Sequence, residues 1–137
     1  MSQEAVETIL RGYRAFTAGD LETIAEMLDP DVEWLAIGES WDAADYPEVL
    51  NVLRQRVQEG YRVELERCIP IDDKVVVNAR FAGVEPDPHD DRPLQSRRYY
   101  TVGRYSAIVT IRDGRVTRVV EHPHLAAALE AAGVEDV

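Results

Sequence analysis

The sequence is poor in the residues that build disulfides and metal sites. It contains one cysteine, Cys68, and three histidines in 137 residues. A single cysteine cannot form an internal disulfide, and metal sites built from several cysteines are excluded as well. The histidines lack a His-x-x-x-His spacing and no helix carries clustered acids, so we expect neither a metal nor a cofactor. Cys68 lies in a strand pattern, which predicts a buried, unreactive thiol.

Positive charge is in the minority. The chain has 15 Lys and Arg against 26 Asp and Glu, for a net charge of −11. This balance disfavours nucleic acid and anionic membranes as partners, because both require a basic face. The first residues, MSQEAVETIL, have acids where a signal peptide has bases, and no apolar run reaches membrane length. We therefore expect a soluble, cytoplasmic protein.

Apolar residues make up 45% of the chain, which is enough for one domain with one core, spanning residues 1–137. Apolar spacing of three or four residues predicts helices over 4–18, 21–28 and about 46–59, with a strand over 32–37. After Gly60 the period becomes two, as in strands. It predicts strands over 61–71, 74–83, 94–111 and 116–121, before a last helix over 124–132.

This order of elements predicts an α+β fold. We expect a conical barrel in which a strongly curved mixed or antiparallel sheet wraps around the N-terminal helices. Such a half-open cone encloses a natural pocket for a small ligand. Residues 84–93 contain three prolines and four acidic residues, which predicts an irregular, mobile or pocket-lining loop.

The best candidate for chemistry is the end of the last hairpin. Strands over 106–111 and 116–121 flank Arg112-Asp113-Gly114, whose Asp-Gly pair accepts positive φ angles. The nearly unbroken apolar run predicts strands that are covered on both faces. The second strand ends in Glu121-His122-Pro123-His124, where a carboxylate and two imidazoles crowd together.

Four segments carry a family resemblance: YRAFTAGDL from Tyr13, LDPDVEW from Leu28, DKVVV from Asp73 and VTIRDGRV from Val109. Together and in this order they resemble the SnoaL-like polyketide cyclase branch of the nuclear transport factor 2-like superfamily. The resemblance implies a conical α+β barrel, usually a homodimer through the sheet, with a pocket for a small apolar or aromatic ligand. It does not imply one function, because members include isomerases, cyclases, epoxide hydrolases, dehydratases and non-catalytic binding modules.

The ketosteroid isomerase relatives use a tyrosine, a base and a protonated acid. The resemblance places the tyrosine at Tyr13, the base at Ala36 and the acid near Ala107, so two of the three functional groups are missing. SnoaL-type cyclases have a general base just after the last strand, which falls approximately on His124. Histidine titrates near neutral pH and can take a proton from carbon. The Asp-Arg-Asp set of the epoxide hydrolase relatives has no convincing equivalent.

In the cyclase register Val119 and Glu121 face the pocket and His122 faces outward. We take Glu121 and His124 as the candidate proton-handling pair, with Tyr13 as a hydrogen-bond donor. The alternative is structural: His124 caps the last helix, Glu121 pairs with Arg80 or Arg104, and Tyr13 is a core tyrosine.

Other side chains are candidates for ligand contact. Trp34 would stack on a flat ligand beside Ala36, and Trp41 lies at the expected mouth. Asn78 and Arg80 alternate together and would form a polar floor if their face is concave. Tyr105 lines the pocket or a dimer contact. The leading hypothesis is an isomerase, cyclase or hydratase acting by proton transfer, and the alternative is a non-catalytic ligand-binding or dimerisation module.

Overall fold

The computed structural model describes residues 2–35, 46–84 and 99–133. Most of the predicted loop over 84–93 and the predicted start of a strand at Leu94 lie outside these ranges. In chain order the elements are α1 (Ser2–Ala18), α2 (Leu21–Met27), β1 (Leu28–Leu35), α3 (Tyr46–Gln58), β2 (Arg62–Ile71), β3 (Lys74–Val84), β4 (Tyr99–Arg112), β5 (Arg115–His122) and α4 (Leu125–Ala131).

The strands form one mixed sheet in the order β1-β5-β4-β3-β2. Strands β2 to β5 are an antiparallel meander, and β1 pairs with β5 in parallel. The first and last strands of the chain are therefore neighbours. This arrangement confirms the predicted α+β class, with the curved sheet wrapped around the N-terminal helices.

The two faces of the sheet have different covers because side chains alternate along each strand. The inner face, with Val75 and Val77 of β3, packs in one core with residues of α1, α2 and α3. The outer face, with Val76 and Ile108, packs against Ala128 and Leu129 of α4. Residues 106–111 of β4 are all buried, which confirms the predicted cover on both faces for this strand. For β5 the prediction was wrong in part, because Arg118 is exposed.

Turns and caps occur where the local sequence favours them. Asp113 and Gly114 both have positive φ angles, 53° and 75°, as a two-residue hairpin turn demands. Asp20 caps α2, since its Oδ1 accepts a 3.1 Å hydrogen bond from the backbone N–H of Thr23. The register of β3 against β4 shifts between Phe81 and Ala82, opposite Gly103, and an isolated glycine inside a strand often marks such a bulge.

The start of β1 was predicted too late. The strand begins at Leu28 instead of residue 32, and α2 ends at Met27. The segment that reads as a helix stop, Asp29-Pro30-Asp31, lies inside β1. Between Leu28 and Glu33 the pairing with β5 shifts register. Proline is tolerated at such an irregularity, because no regular ladder bond has to be donated there.

Across residues 2–35, 46–84 and 99–133, the structure has no helix with the length and apolar character to cross a bilayer.

Candidate functional site

A cavity of about 640 Å³ lies between the inner face of the sheet and helices α1, α2 and α3. Its volume is within the range of pockets that hold small organic molecules. Most of its wall is apolar, with contributions from Ile9, Phe16, Ile24, Met27, Val49, Leu53, Val63, Phe81, Val109, Val116 and Val119.

The two-residue period of the last hairpin delivers one acid into this wall. In β5, Val119 and Glu121 both line the cavity, as predicted. Glu121 is paired across the sheet with Ala107 of β4, which also lines the cavity. The carboxylate of Glu121 therefore lies one strand away from the residue where the resemblance predicts a catalytic acid.

Trp34 holds the carboxylate of Glu121. The indole Nε1–H of Trp34 donates a 2.9 Å hydrogen bond to Oε2 of Glu121. The two residues lie on neighbouring strands, with Trp34 of β1 beside Val119 of β5 in the parallel register. A carboxylate near apolar walls needs such a donor, since burial without a partner is costly. Trp34 also lines the cavity, so it is both a wall and an anchor.

Two tyrosine hydroxyls meet in the same cavity. The hydroxyl oxygens of Tyr13 from α1 and Tyr105 from β4 are 2.8 Å apart and share one hydrogen bond. The pKa of Tyr13 is raised to about 12, chiefly by burial, which outweighs the lowering effect of the hydrogen bond with Tyr105; the charge of Glu121 contributes to the rise. Burial likewise raises the pKa of Tyr105 well above its usual value, followed by its proximity to Tyr13 and by Glu121. Both hydroxyls therefore stay protonated at neutral pH.

The Tyr13–Tyr105 pair has a spare donor. Each hydroxyl carries one proton, and one of the two protons forms the shared hydrogen bond. The other O–H can point to an acceptor on a bound molecule. The cavity thus combines a carboxylate that can accept a proton with a hydroxyl pair that can donate a hydrogen bond to an oxygen.

His124 is placed as in the structural alternative. It is exposed, and its Nδ1 accepts a 3.1 Å hydrogen bond from the backbone N–H of Ala127, which caps α4. Among the described residues that line the cavity, Glu121, His122 and Pro123 are present but His124 is not. The structure therefore separates Glu121 from its predicted proton-handling partner.

Asn78 and Arg80 lie on the outer face of the sheet, so the predicted polar floor is wrong in position. They alternate with the inner-core residues Val75 and Val77 along β3 and share their face with Val76. The side-chain oxygen of Asn78 accepts a 2.8 Å hydrogen bond from Ser106, and Arg80 pairs with Glu64. Arg104, the other predicted partner of Glu121, donates a 2.8 Å hydrogen bond to Glu66.

The remaining candidates divide into described and undescribed residues. His122 pairs across the sheet with Ser106 of the outer face and also borders the cavity. Its Nε2 is buried without a hydrogen-bond partner in the part of the chain that the structure describes. Ala36 and Trp41 lie outside the described residues. Cys68 is half-buried, and burial raises the pKa of its thiol.

Among the lining residues that were not predicted as site residues are Arg56 and Phe81. A signal for each was present. Arg56 follows Val49 by seven residues, so it continues the buried stripe of α3. Phe81 continues the alternation of Val77 and Ala79 in β3.

Within 2–35, 46–84 and 99–133, no three metal-binding side chains form a group that could hold an ion.

Comparison with known proteins agrees with this architecture. A family model described as the SnoaL-like domain matches residues 9–119. The fold is similar to that of Bal32a from a soil-derived mobile gene cassette, at 22% identity over 95% of this chain and 96% of that one, with a TM-score of 0.69. It is also similar to that of TerC co-crystallised with polyporic acid, at 24% identity over 93% of this chain and 96% of that one, with a TM-score of 0.65. A further similar structure is that of an LEH-like epoxide hydrolase of M. tuberculosis, at 16% identity over 96% of each chain, with a TM-score of 0.69. No curated protein sequence matches significantly.

Proposed function

The chain belongs to the SnoaL-like domain family, and from this premise we propose that it binds a small apolar or aromatic molecule and catalyses a proton transfer on it. The reaction class is isomerisation, cyclisation or hydration by way of an enolate. Glu121 takes the proton, Tyr13 and Tyr105 donate a hydrogen bond to the developing oxyanion, and Trp34 positions the carboxylate.

The observation that carries this proposal is the hydrogen-bonded Trp34–Glu121 pair in the wall of a mostly apolar cavity. An enolising base must reach a carbon acid, and a fixed carboxylate beside an apolar wall is suited to that task. When the proton is removed from the carbon, the resulting negative charge is delocalised onto the neighbouring carbonyl oxygen. Donors that are already in place stabilise that charge without reorganisation.

The similar structures do not specify the reaction. One relative is an epoxide hydrolase and another was crystallised with polyporic acid, so the same fold serves different compounds. Function therefore has to be argued from side chains. The inward placement of Glu121 supports proton transfer, and the tyrosine pair supports a substrate with a carbonyl oxygen.

Deuterium exchange into 2-tetralone, a flat ketone with acidic C–H groups, tests this proposal. In D2O, we expect the wild-type protein to accelerate loss of the α-proton signal in the ¹H NMR spectrum. Glu121→Gln keeps the shape but removes the base, and should slow the catalysed exchange by about 10²-fold or more. Glu130→Gln, on the exposed face of α4, is the matched control and should exchange like wild type.

The same experiment separates the enzyme from the non-catalytic alternative. Saturation-transfer NMR reports whether 2-tetralone is bound. Binding without accelerated exchange would establish a ligand-binding module and refute catalysis of enolisation. Equal rates in wild type and Glu121→Gln would refute the role of this carboxylate. Val119→Phe, which fills the cavity from β5, should abolish binding and exchange together.

We also propose that the protein is a homodimer through its sheet, on the basis of the family's usual assembly. Light scattering should then give a mass of about twice 15.5 kDa. A mass of a single chain at micromolar concentration would refute the dimer.

A further inference from the structure

Resting on the proposed cavity ligand, we propose that Arg56 forms an anion-binding subsite at the edge of the cavity. The ligand class that this subsite selects is an organic acid, with an apolar or aromatic body and one carboxylate or sulfonate group. Arg56 lines the cavity, and its side chain is 37% exposed. Its guanidinium therefore lies where the apolar cavity meets solvent.

Neighbouring rings hold the guanidinium in place. The Arg56 Cζ atom lies 5.5 Å from the ring centroid of Tyr61, within the distance of a cation–π interaction. Tyr61 in turn stacks on Phe81, with ring centroids 4.7 Å apart and planes at 12°. This Arg56–Tyr61–Phe81 stack positions the charge before a ligand arrives, and so reduces the entropy that binding would cost.

The donors of Arg56 are available to a ligand. Its acidic neighbour is Glu59, but Nη1 and Oε2 are 3.7 Å apart, too far for a hydrogen bond. Within the described ranges, the Arg56 guanidinium makes no hydrogen bond. By contrast, the guanidinium of Arg104 donates a 2.8 Å hydrogen bond to Glu66. A guanidinium presents five N–H donors in a planar fork that fits a carboxylate or sulfonate.

The charges at the two ends of the cavity give a bound acid one orientation. Phe81, at the Arg56 end, pairs with Gly103 of β4, whereas Glu121 pairs with Ala107 of the same strand. Four residues of strand separate these pairs by about 13 Å. An acidic group at Arg56 leaves the apolar body directed to Tyr105 and Glu121. The reverse orientation would place two negative charges together, which is unfavourable near apolar walls.

Two fluorescent probes with one ring system test the subsite. The first is 8-anilinonaphthalene-1-sulfonate, an anion, and the second is N-phenyl-1-naphthylamine, which lacks the sulfonate. Affinities are measured by titration for wild type, Arg56→Gln and Arg54→Gln. Arg54 is the matched control on the same helix, because it is exposed, hydrogen-bonds Asn51 and is not part of the described cavity wall.

We expect Arg56→Gln to weaken the sulfonate probe by about tenfold or more, as loss of a charged hydrogen bond does, and to leave the neutral probe within twofold. Arg54→Gln should change neither affinity by more than twofold. The preference for the sulfonate in wild type should shrink as salt rises, because the subsite is partly exposed. Melting temperatures of the two variants report whether either has lost its fold.

Three results would overturn the inference. Equal weakening of both probes in Arg56→Gln would give Arg56 a packing role alone. Equal weakening of the sulfonate probe in Arg54→Gln would show a general charge effect. Sulfonate affinity unchanged in a folded Arg56→Gln protein would remove the subsite while leaving the cavity proposal intact. The cavity proposal itself fails if wild type and Val119→Phe bind the neutral probe equally.

Discussion

The indole of Trp34 and the carboxylate of Glu121 are joined by a 2.9 Å hydrogen bond between the first and last strands of the sheet. This bond fixes the one acid that both lines the cavity and lies on β5. The bond also links Trp34, which lines the cavity, to Glu121, the proposed base. Changes at Trp34 should therefore act on Glu121 as well as on packing.

A double-mutant cycle measures this coupling. Trp34→Phe keeps an aromatic wall but removes the N–H donor, so we expect a loss of about 1–3 kcal/mol in the free energy of unfolding. In the Glu121→Gln background the same change should cost less, by about 1 kcal/mol, because the charged acceptor is already gone. Urea unfolding of the four proteins gives these values. Losses that add within about 0.5 kcal/mol would mean that the hydrogen bond contributes nothing.

Tyr13 predicts a loss of stability in alkali. Its pKa is raised from 10.0 to about 12 in the folded state. Below pH 10, Tyr13 is protonated in both the folded and the unfolded state, and its contribution to the free energy of unfolding is fully present. Between pH 10 and 12 the unfolded chain ionises first, so stability falls as pH rises. From pH 9 to pH 11, we expect this one group to cost about 1.4 kcal/mol.

Tyr13→Phe is the test of that assignment. The variant should lose less stability than wild type between pH 9 and pH 11, by about the same 1.4 kcal/mol. Groups that do not contact Tyr13 contribute equally to both proteins and cancel in the comparison. Tyr105 does not cancel fully, because Tyr13 is one cause of its raised pKa. Titration of tyrosinate absorbance at 295 nm should also lose one late-ionising tyrosine of the six in the chain. Parallel pH profiles of stability would contradict the burial of the Tyr13 hydroxyl.

His124 predicts a change in stability without a change in chemistry. His124→Ala removes the side-chain acceptor that caps α4 and should destabilise the protein by about 1 kcal/mol. His124→Asn supplies another capping acceptor and should recover most of that loss. Exchange of 2-tetralone should be the same in all three proteins. A variant that is fully stable but has lost exchange would return His124 to the site.

Much of the fold could be predicted because local signals agree with the tertiary structure. The Asp113-Gly114 turn, the Asp20 cap and the bulge at Gly103 each follow from local backbone chemistry. The start of β1 could not be predicted in this way. Proline and two aspartates form a normal helix stop. Only the tertiary pairing of β5 with Leu28 before this stretch and with Glu33 after it shows that the stretch belongs to a strand.

The site could be predicted from strand period combined with the family register, and not from proximity in sequence. Alternation put Val119 and Glu121 on one face of β5, and the register of the resembling cyclases indicated that this face is the inner one, where both residues line the cavity. Glu121 and His124 are close in sequence, which suggested a pair. In the structure the chain leaves β5 between them, so that Glu121 lines the cavity and His124 caps α4 at the surface. The role of Asn78 and Arg80 depends on which face of β3 is concave. The packing of the sheet reveals this, because α4 covers the outer face that these two residues share with Val76.

The parallel pairing of β1 with β5 has a consequence for how the protein acquires its site. Trp34 and Glu121 are 87 residues apart in sequence, so the bond between them has to wait until β5 is available. Contacts of such long range form late and slow folding, because the intervening chain must first be ordered. On a ribosome, β1 emerges long before β5 and has an unpaired edge until β5 has been synthesised. Formation of the Trp34–Glu121 bond therefore reports that the sheet has closed, and a chain cut before β5 lacks both that closure and the acid of the site.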